Sequence, residues 1–139
     1  DGLYLVPRRG EAEHALTFAS GDLIAVASRG SAMAVAVRSY SGAARCDLYT
    51  VRGGALEGPF SQSEEPTALA VSEAGTAVLS VSGVSVYDTD FDPLWSNVEA
   101  VGARRLLMTD DGTVFALYTK NARLFTAHSE RSEEISDAK

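Results

Sequence analysis

Apolar residues fall along this chain in short runs, each stopped by a small polar turn, and one such pattern is written twice. Leu69 to Ser82 reads LAVSEAGTAVLSVS, and 37 residues later Leu106 to Thr119 reads LLMTDDGTVFALYT. The alignment sets Leu69 on Leu106, Gly75-Thr76 on Gly112-Thr113 and Val81 on Tyr118. A looser copy, one residue shorter, is read earlier in LTFASGDLIAVAS, Leu16 to Ser28. Two apolar runs joined by an acidic or small residue with glycine are the strongest short-range signature of a β-hairpin. The pattern therefore predicts a hairpin used as a repeating unit.

Strands are predicted at Gly2 to Val6, within Glu11 to Ala19, and at Leu23 to Ala27 and Ala32 to Tyr40. In the last of these, Met33, Val35 and Val37 alternate with Ala32, Ala34 and Ala36. A strand with one wet face would show polar residues at every second position, so this one is expected to be covered on both sides. Cys46 to Val51 and Leu56 to Phe60 follow, and Gly58-Pro59 marks the second as an outer strand, because proline cannot donate to a ladder. After the polar linker Ser61 to Glu65 come Thr67 to Val71, Thr76 to Val81 and Val84 to Tyr87, with Leu94-Trp95 as a fourth. The cycle restarts at Arg105 to Met108, Thr113 to Tyr118 and Arg123 to Ala127. No stretch before residue 128 has the spacing of an amphipathic helix. Ser129 to Lys139 is polar, with Ile135 its only large apolar residue, and is expected to be a tail or linker.

Meanders recurring at roughly 40 residues, with a turn every 8 to 12, point to the blades of a β-propeller. Each blade is stacked between two neighbours, which explains strands that are apolar on both faces. A two-sheet sandwich would leave its outer positions polar. The expected fold class is all-β, built of antiparallel four-stranded meander blades over residues 1–128, at approximately 12–60, 66–98 and 103–128. A closed ring takes about four to eight blades, so about three make an incomplete ring. Its open blade faces would meet further blades or a second copy. The chain starts at Asp1, straight into GLYLV, and reads as a cut through a longer protein.

At Val84 to Trp95, VSVYDTDFDPLW, and Asp111 to Phe125, DGTVFALYTKNARLF, the sequence resembles repeat proteins of the WD-repeat and quinoprotein-like propeller kind. Both stretches look like a strand, a polar turn and a strand ending in Leu-Trp or Leu-Phe. It departs from that pattern in lacking a Trp-Asp ending and in carrying Phe91-Asp92-Pro93 where an Asp-Gly turn is usual. A second register, setting Gly83 on Gly112, also aligns. The resemblance implies a rigid ring whose loops carry recognition, in a parent protein that is extracytoplasmic or membrane-anchored.

Composition narrows the partners. The 139 residues are 45% apolar and 22% charged, ordinary values for one globular domain. Twelve basic against 19 acidic side chains give a net charge of −7, with Arg8-Arg9 and Arg104-Arg105 as the only basic pairs. No basic stripe is available to neutralise phosphates, so nucleic acid is excluded as a partner. No apolar stretch approaches the roughly 20 residues of a membrane helix. Cys46 is alone, which rules out an intramolecular disulfide, and its strand-like run suits a small buried hydrophobe. Ten Arg against two Lys hints at a bacterial parent with a GC-rich genome.

The residues offer little chemistry. Asp88, Asp90, Asp92 and Glu99 stand at positions 1, 3, 5 and 12 of a calcium-type loop, but Pro93 takes the position that requires glycine. They are read as an exposed acidic turn. His14 and His128 lack partners at ligand spacing, and there is neither a Gly-x-Ser-x-Gly elbow nor a phosphate-binding glycine loop. Trp95, Phe18, Tyr40, Tyr49, Phe60, Tyr87, Phe115, Tyr118 and Phe125 are assigned to the core, and Glu64-Glu65 with Glu130, Glu133 and Glu134 to solvent. No catalytic, cofactor-binding or metal-binding residue is expected, and no binding residue can be singled out. The expectation is a non-catalytic scaffold for a protein or small ligand. The alternatives are a fragment of a quinoprotein-like or hydrolytic propeller enzyme whose active site lies elsewhere, and a structural β-sandwich.

Overall fold

The computed structural model of the chain describes residues 2–5, 13–40, 44–127 and 133–135. β1 (Gly2–Leu5) and β2 (Glu13–Thr17) pair antiparallel. A first four-stranded sheet follows, in the order β3 (Leu23–Arg29), β4 (Ala32–Arg38), β5 (Cys46–Arg52) and β6 (Ala55–Gln62). The second holds β7 (Ala68–Ser72), β8 (Gly75–Ser80), β9 (Gly83–Tyr87) and β10 (Pro93–Asn97). The third holds β11 (Arg105–Met108), β12 (Val114–Leu117), β13 (Ala122–Phe125) and β14 (Glu133–Ile135). Each is an antiparallel meander in chain order; its tightest reversals are the two-residue turns at 30–31, 53–54, 73–74 and 81–82, which can only return a strand beside the one before it. The chain is all-β as its pattern predicts, and none of the sheets closes into a barrel. Among the described residues no helix is long and apolar enough to cross a membrane.

The three sheets stack face to face, with β7 between β3 and β11. Because side chains alternate, the second sheet splits its residues between two cores. Leu69, Val71 and Val78 join Ala34, Ala36 and Leu48 of the first sheet. Ala70, Ala77, Leu79, Val84 and Val86 join Leu106, Met108, Val114, Ala116 and Phe125 of the third. This is the two-sided covering that β8 requires, and β4 has it too: Ala34 and Ala36 are buried on one face, Val35 and Val37 on the other. Each fully buried Leu, Val or Phe contributes roughly 1.5–3 kcal/mol of transfer free energy. The innermost strands fit small against large, with Ala68 and Ala70 of β7 sharing a core with Leu106 and Met108 of β11.

The third sheet ends the stack differently. Leu107 pairs with Phe115, and Phe115 with Leu124, forming an apolar row on its outward face. The equivalent row of the second sheet is Ala70, Ala77 and Val86, all buried. Here Leu107 is 56% exposed and the other two are half-buried.

Four readings of the sequence are corrected. Leu16 to Ser28 is not a hairpin: Leu16 pairs with Leu3 of β1, whereas Leu23 pairs with Val37 of β4. Gly21 and Asp22 carry the chain from one sheet to the next, a job that uses the same small polar residues as a reversal. The alignment of the two better copies slips by one residue after the turn. Val71 pairs with Thr76 and Met108 with Val114, so Thr76 corresponds to Val114 and Gly75 to Thr113. The cause is a three-residue turn, Asp110 to Gly112, where the second sheet has only Glu73 and Ala74. Tyr40 is not core but 78% exposed, its hydroxyl donating to Asp22 at 2.8 Å. Finally, the polar tail supplies a strand, since Glu133–Ile135 extends the third sheet beside β13.

Candidate functional site

The register fixes which turns share an end of the stack. β3 ends at Arg29 and β5 at Arg52, so the turns Gly30-Ser31 and Gly53-Gly54 lie together on the first sheet. Glu73-Ala74 of the second sheet and Asp110 to Gly112 of the third stand beside them. Together they enclose a cavity of about 360 Å³ lined by Arg29, Gly30, Ser31, Ala32, Arg52, Gly53, Glu73 and Asp110. Gly53 and Gly54 have φ of 59° and 78°, both in the left-handed region that a tight hairpin turn demands. A Cβ at Gly30 or Gly53 would meet nothing within 4 Å, so the backbone of both turns is open on its side-chain side.

Two arginines organise this end. Arg29 Nε donates to Asp110 Oδ1 at 3.0 Å, joining the first sheet to the third. The same oxygen accepts from the backbone N–H of Glu73 at 3.2 Å, so the second sheet is tied in as well. The Arg29 guanidinium, followed by the Glu73 amide, holds the Asp110 carboxyl below the ordinary carboxylate range. Arg52 acts differently. Its Nη1 donates to the carbonyl of Ser72 and its Nη2 to that of Gly75, both at 2.8 Å, so that it clamps the β7–β8 turn. Its Nε is buried without a partner. Among the described residues it makes no ion pair, and neither does Glu73 on the same wall.

Next to this cavity runs a groove of about 260 Å³ along the first strands of all three sheets, with Val26, Leu69 and Leu107 on its walls and Arg29 shared between the two. A second cavity of about 360 Å³ lies between the second and third sheets, against Trp95 and Asp111. Its carboxylate is engaged by its own loop, accepting from Thr109 Oγ1 and from Thr113 N. The cavity around Arg52 draws charged side chains from all three sheets: Arg29 and Arg52 from the first, Glu73 from the second and Asp110 from the third.

The residues singled out in the sequence lie elsewhere. Asp88 turns its carboxylate back onto its own loop, with Oδ1 accepting from Asp90 N and Asp92 N at 2.9 Å each. That loop presents Phe91, at φ 63°, between Phe60 of the first sheet and Tyr87 of the second, with ring centroids 4.2 Å apart on both sides. Cys46 is fully buried, and burial pushes its thiol up to about 11. Glu64 is not simply solvated: its carboxylate accepts from the Ser80 and Ser82 hydroxyls at 2.9 and 2.8 Å. His14 lies on β2 with its side chain outside the description, and His128, Glu130, Arg8 and Arg9 fall outside the described residues.

Arg29, Arg52, Glu73 and Asp110 were not legible as a set, because they sit at two strand ends and in two turns, far apart in the chain and with no motif spacing. Two signals pointed there. Arginine precedes the turn glycine at both 29–30 and 52–53, and the 37-residue repeat sets Glu73 on Asp110. No protein-family model matches the chain, and no curated protein is significantly similar to it.

Proposed function

We propose that the chain is a segment of a β-propeller, of the WD-repeat or quinoprotein-like kind, that serves as a non-catalytic binding scaffold. Its recognition site is the cavity ringed by Arg29, Arg52, Glu73 and Asp110. One observation carries the reading: turns from three like sheets converge on a single cavity whose charged groups are held by those same turns. A rigid stack holding loops at one end is the arrangement in which loops do the recognising. The stacking order and the central position of the first strands support the propeller. The open Leu107–Phe115–Leu124 row is where the ring would continue, through further sheets or a second copy.

The non-catalytic role rests on the chemistry of the lining. A general base working near neutral pH needs a raised carboxylate pKa, whereas Asp110 is pulled the other way by Arg29. The test is a fragment screen on the full 139-residue chain by amide chemical-shift mapping. Hits concentrated on Gly30, Ser31, Gly53 and Glu73 are expected. Hits scattered over the surface, or none, would overturn the reading.

A further inference from the structure

We propose that the cavity takes a small carboxylate, bound to the guanidinium of Arg52; this rests on the binding reading above and names its ligand. The first support is an imbalance at Arg52. A guanidinium carries five N–H donors, and this one uses two, both on neutral carbonyls. A partly buried cation is costly unless an opposite charge pairs with it, and no carboxylate does so among the described residues. The two carbonyl bonds also fix the plane of the group. The remaining Nη hydrogens are thereby oriented in advance, which spares a ligand the ordering cost. A carboxylate oxygen is an anionic acceptor that a charged guanidinium N–H bonds more strongly than it does a neutral carbonyl.

The second support is the balance of charge around the space. Arg29, Arg52, Glu73 and Asp110 all line it, two positive groups and two negative. Asp110 already spends its charge on Arg29 at 3.0 Å, leaving Arg52 as the unspent cation and Glu73 as a rim charge that repels excess negative charge. A dianionic phosphate would meet that rim and a protein of net charge −7, whereas a single carboxylate meets one free guanidinium. Size agrees, since about 360 Å³ falls within the range of small-ligand pockets, roughly 300–1,000 Å³. The carboxylate could be a free acid or the C-terminus of a peptide, and the two are separable by experiment.

The experiment titrates the full chain with acetate, with inorganic phosphate, with N-acetyl-trialanine and with its C-terminal amide. It follows the Arg52 Nε–H signal and the amides of Gly30, Ser31 and Gly53. Saturable shifts are expected for acetate and the peptide acid, with Kd on the order of 1–10 mM for acetate, as its few atoms allow. The peptide amide should be at least tenfold weaker. A peptide acid tighter than acetate identifies a chain end as the source; equal binding identifies a free acid. Arg52→Gln should weaken acetate at least tenfold, and Glu73→Gln should tighten it about threefold. Should Arg52→Gln unfold, Gly53→Asn serves instead: asparagine tolerates a left-handed turn, and its side chain would fill the space and abolish binding. Phosphate binding tighter than acetate, non-saturating shifts, or acetate binding indifferent to these substitutions would overturn the proposal. Fragment hits in the cavity that include no carboxylate would leave the scaffold reading standing and remove this one alone.

Discussion

Arg29 and Asp110, 81 positions apart, join the first sheet to the third directly over the turn of the second. Asp110 titrates below the ordinary 3.8 because Arg29 and the Glu73 amide favour its charged form. As pH falls, the unfolded chain therefore takes up this proton first, so the stabilisation is full above the ordinary value and lost below it. The melting temperature of Asp110→Asn should lie below that of the native chain at pH 7, and the gap should close progressively as pH drops below 3.8. Both side chains are 50% exposed, so roughly 1 M salt should narrow the same gap.

Gly75 has no room for any side chain. A Cβ there would lie 1.9 Å from the carbonyl oxygen of Tyr87, which is backbone and cannot swing aside. Gly75→Ala should cost about 3 kcal/mol or more in urea unfolding. Gly54→Asn is the control, because that turn is open and asparagine accepts its φ of 78°; it should change stability by less than about 1 kcal/mol.

Phe91 reverses the usual order of alanine and glycine. Its ring is held between Phe60 and Tyr87, while its backbone lies in the left-handed region. Truncation to alanine loses the stacking and keeps the strain, at about 2 kcal/mol. Truncation to glycine loses the stacking and removes the strain, so Phe91→Gly should be the more stable of the two by about 1 kcal/mol. Paired chemical-denaturation curves decide the order.

Cys46 should be inert in the folded protein. Its thiol is buried and raised to about 11, so almost no thiolate is present at pH 8. Reaction with an aromatic disulfide reagent should be slow and should become fast and stoichiometric in denaturant. The folded state favours the protonated thiol, so above pH 9, the ordinary value for this group, its contribution turns against folding as the unfolded chain ionises first.

Much of the fold could be read from the chain because its determinants are local. Alternation in Ala32 to Val37 demanded cover on both sides, and turn residues marked nearly every reversal. What escaped reading depended on partners far away in the chain. Leu16 to Ser28 has the composition of a hairpin, but which neighbour each strand pairs with is decided by Leu3 and Val37. Tyr40 is apolar in bulk, yet it follows the last residue of β4 by two and lies outside the ladder. Glu133–Ile135 has no apolar pattern of its own and owes its strand to the free edge of β13. Arg52 was invisible as a site residue for the same reason: its role comes from two carbonyls 20 and 23 positions away.

In all three four-stranded meanders the backbone ladders close within the sheet, and among the described residues no main-chain bond runs from one sheet to another. Among the described residues the polar bonds across the seams run through a side chain on at least one side, as Arg52 does to the Ser72 and Gly75 carbonyls and Asp110 to the Glu73 amide. Tension applied across a seam would shear van der Waals contacts and a few polar clamps, whereas tension along a strand would have to break its ladder. The molecule is thus mechanically anisotropic, like a stack of cards that resists tearing and parts readily by peeling.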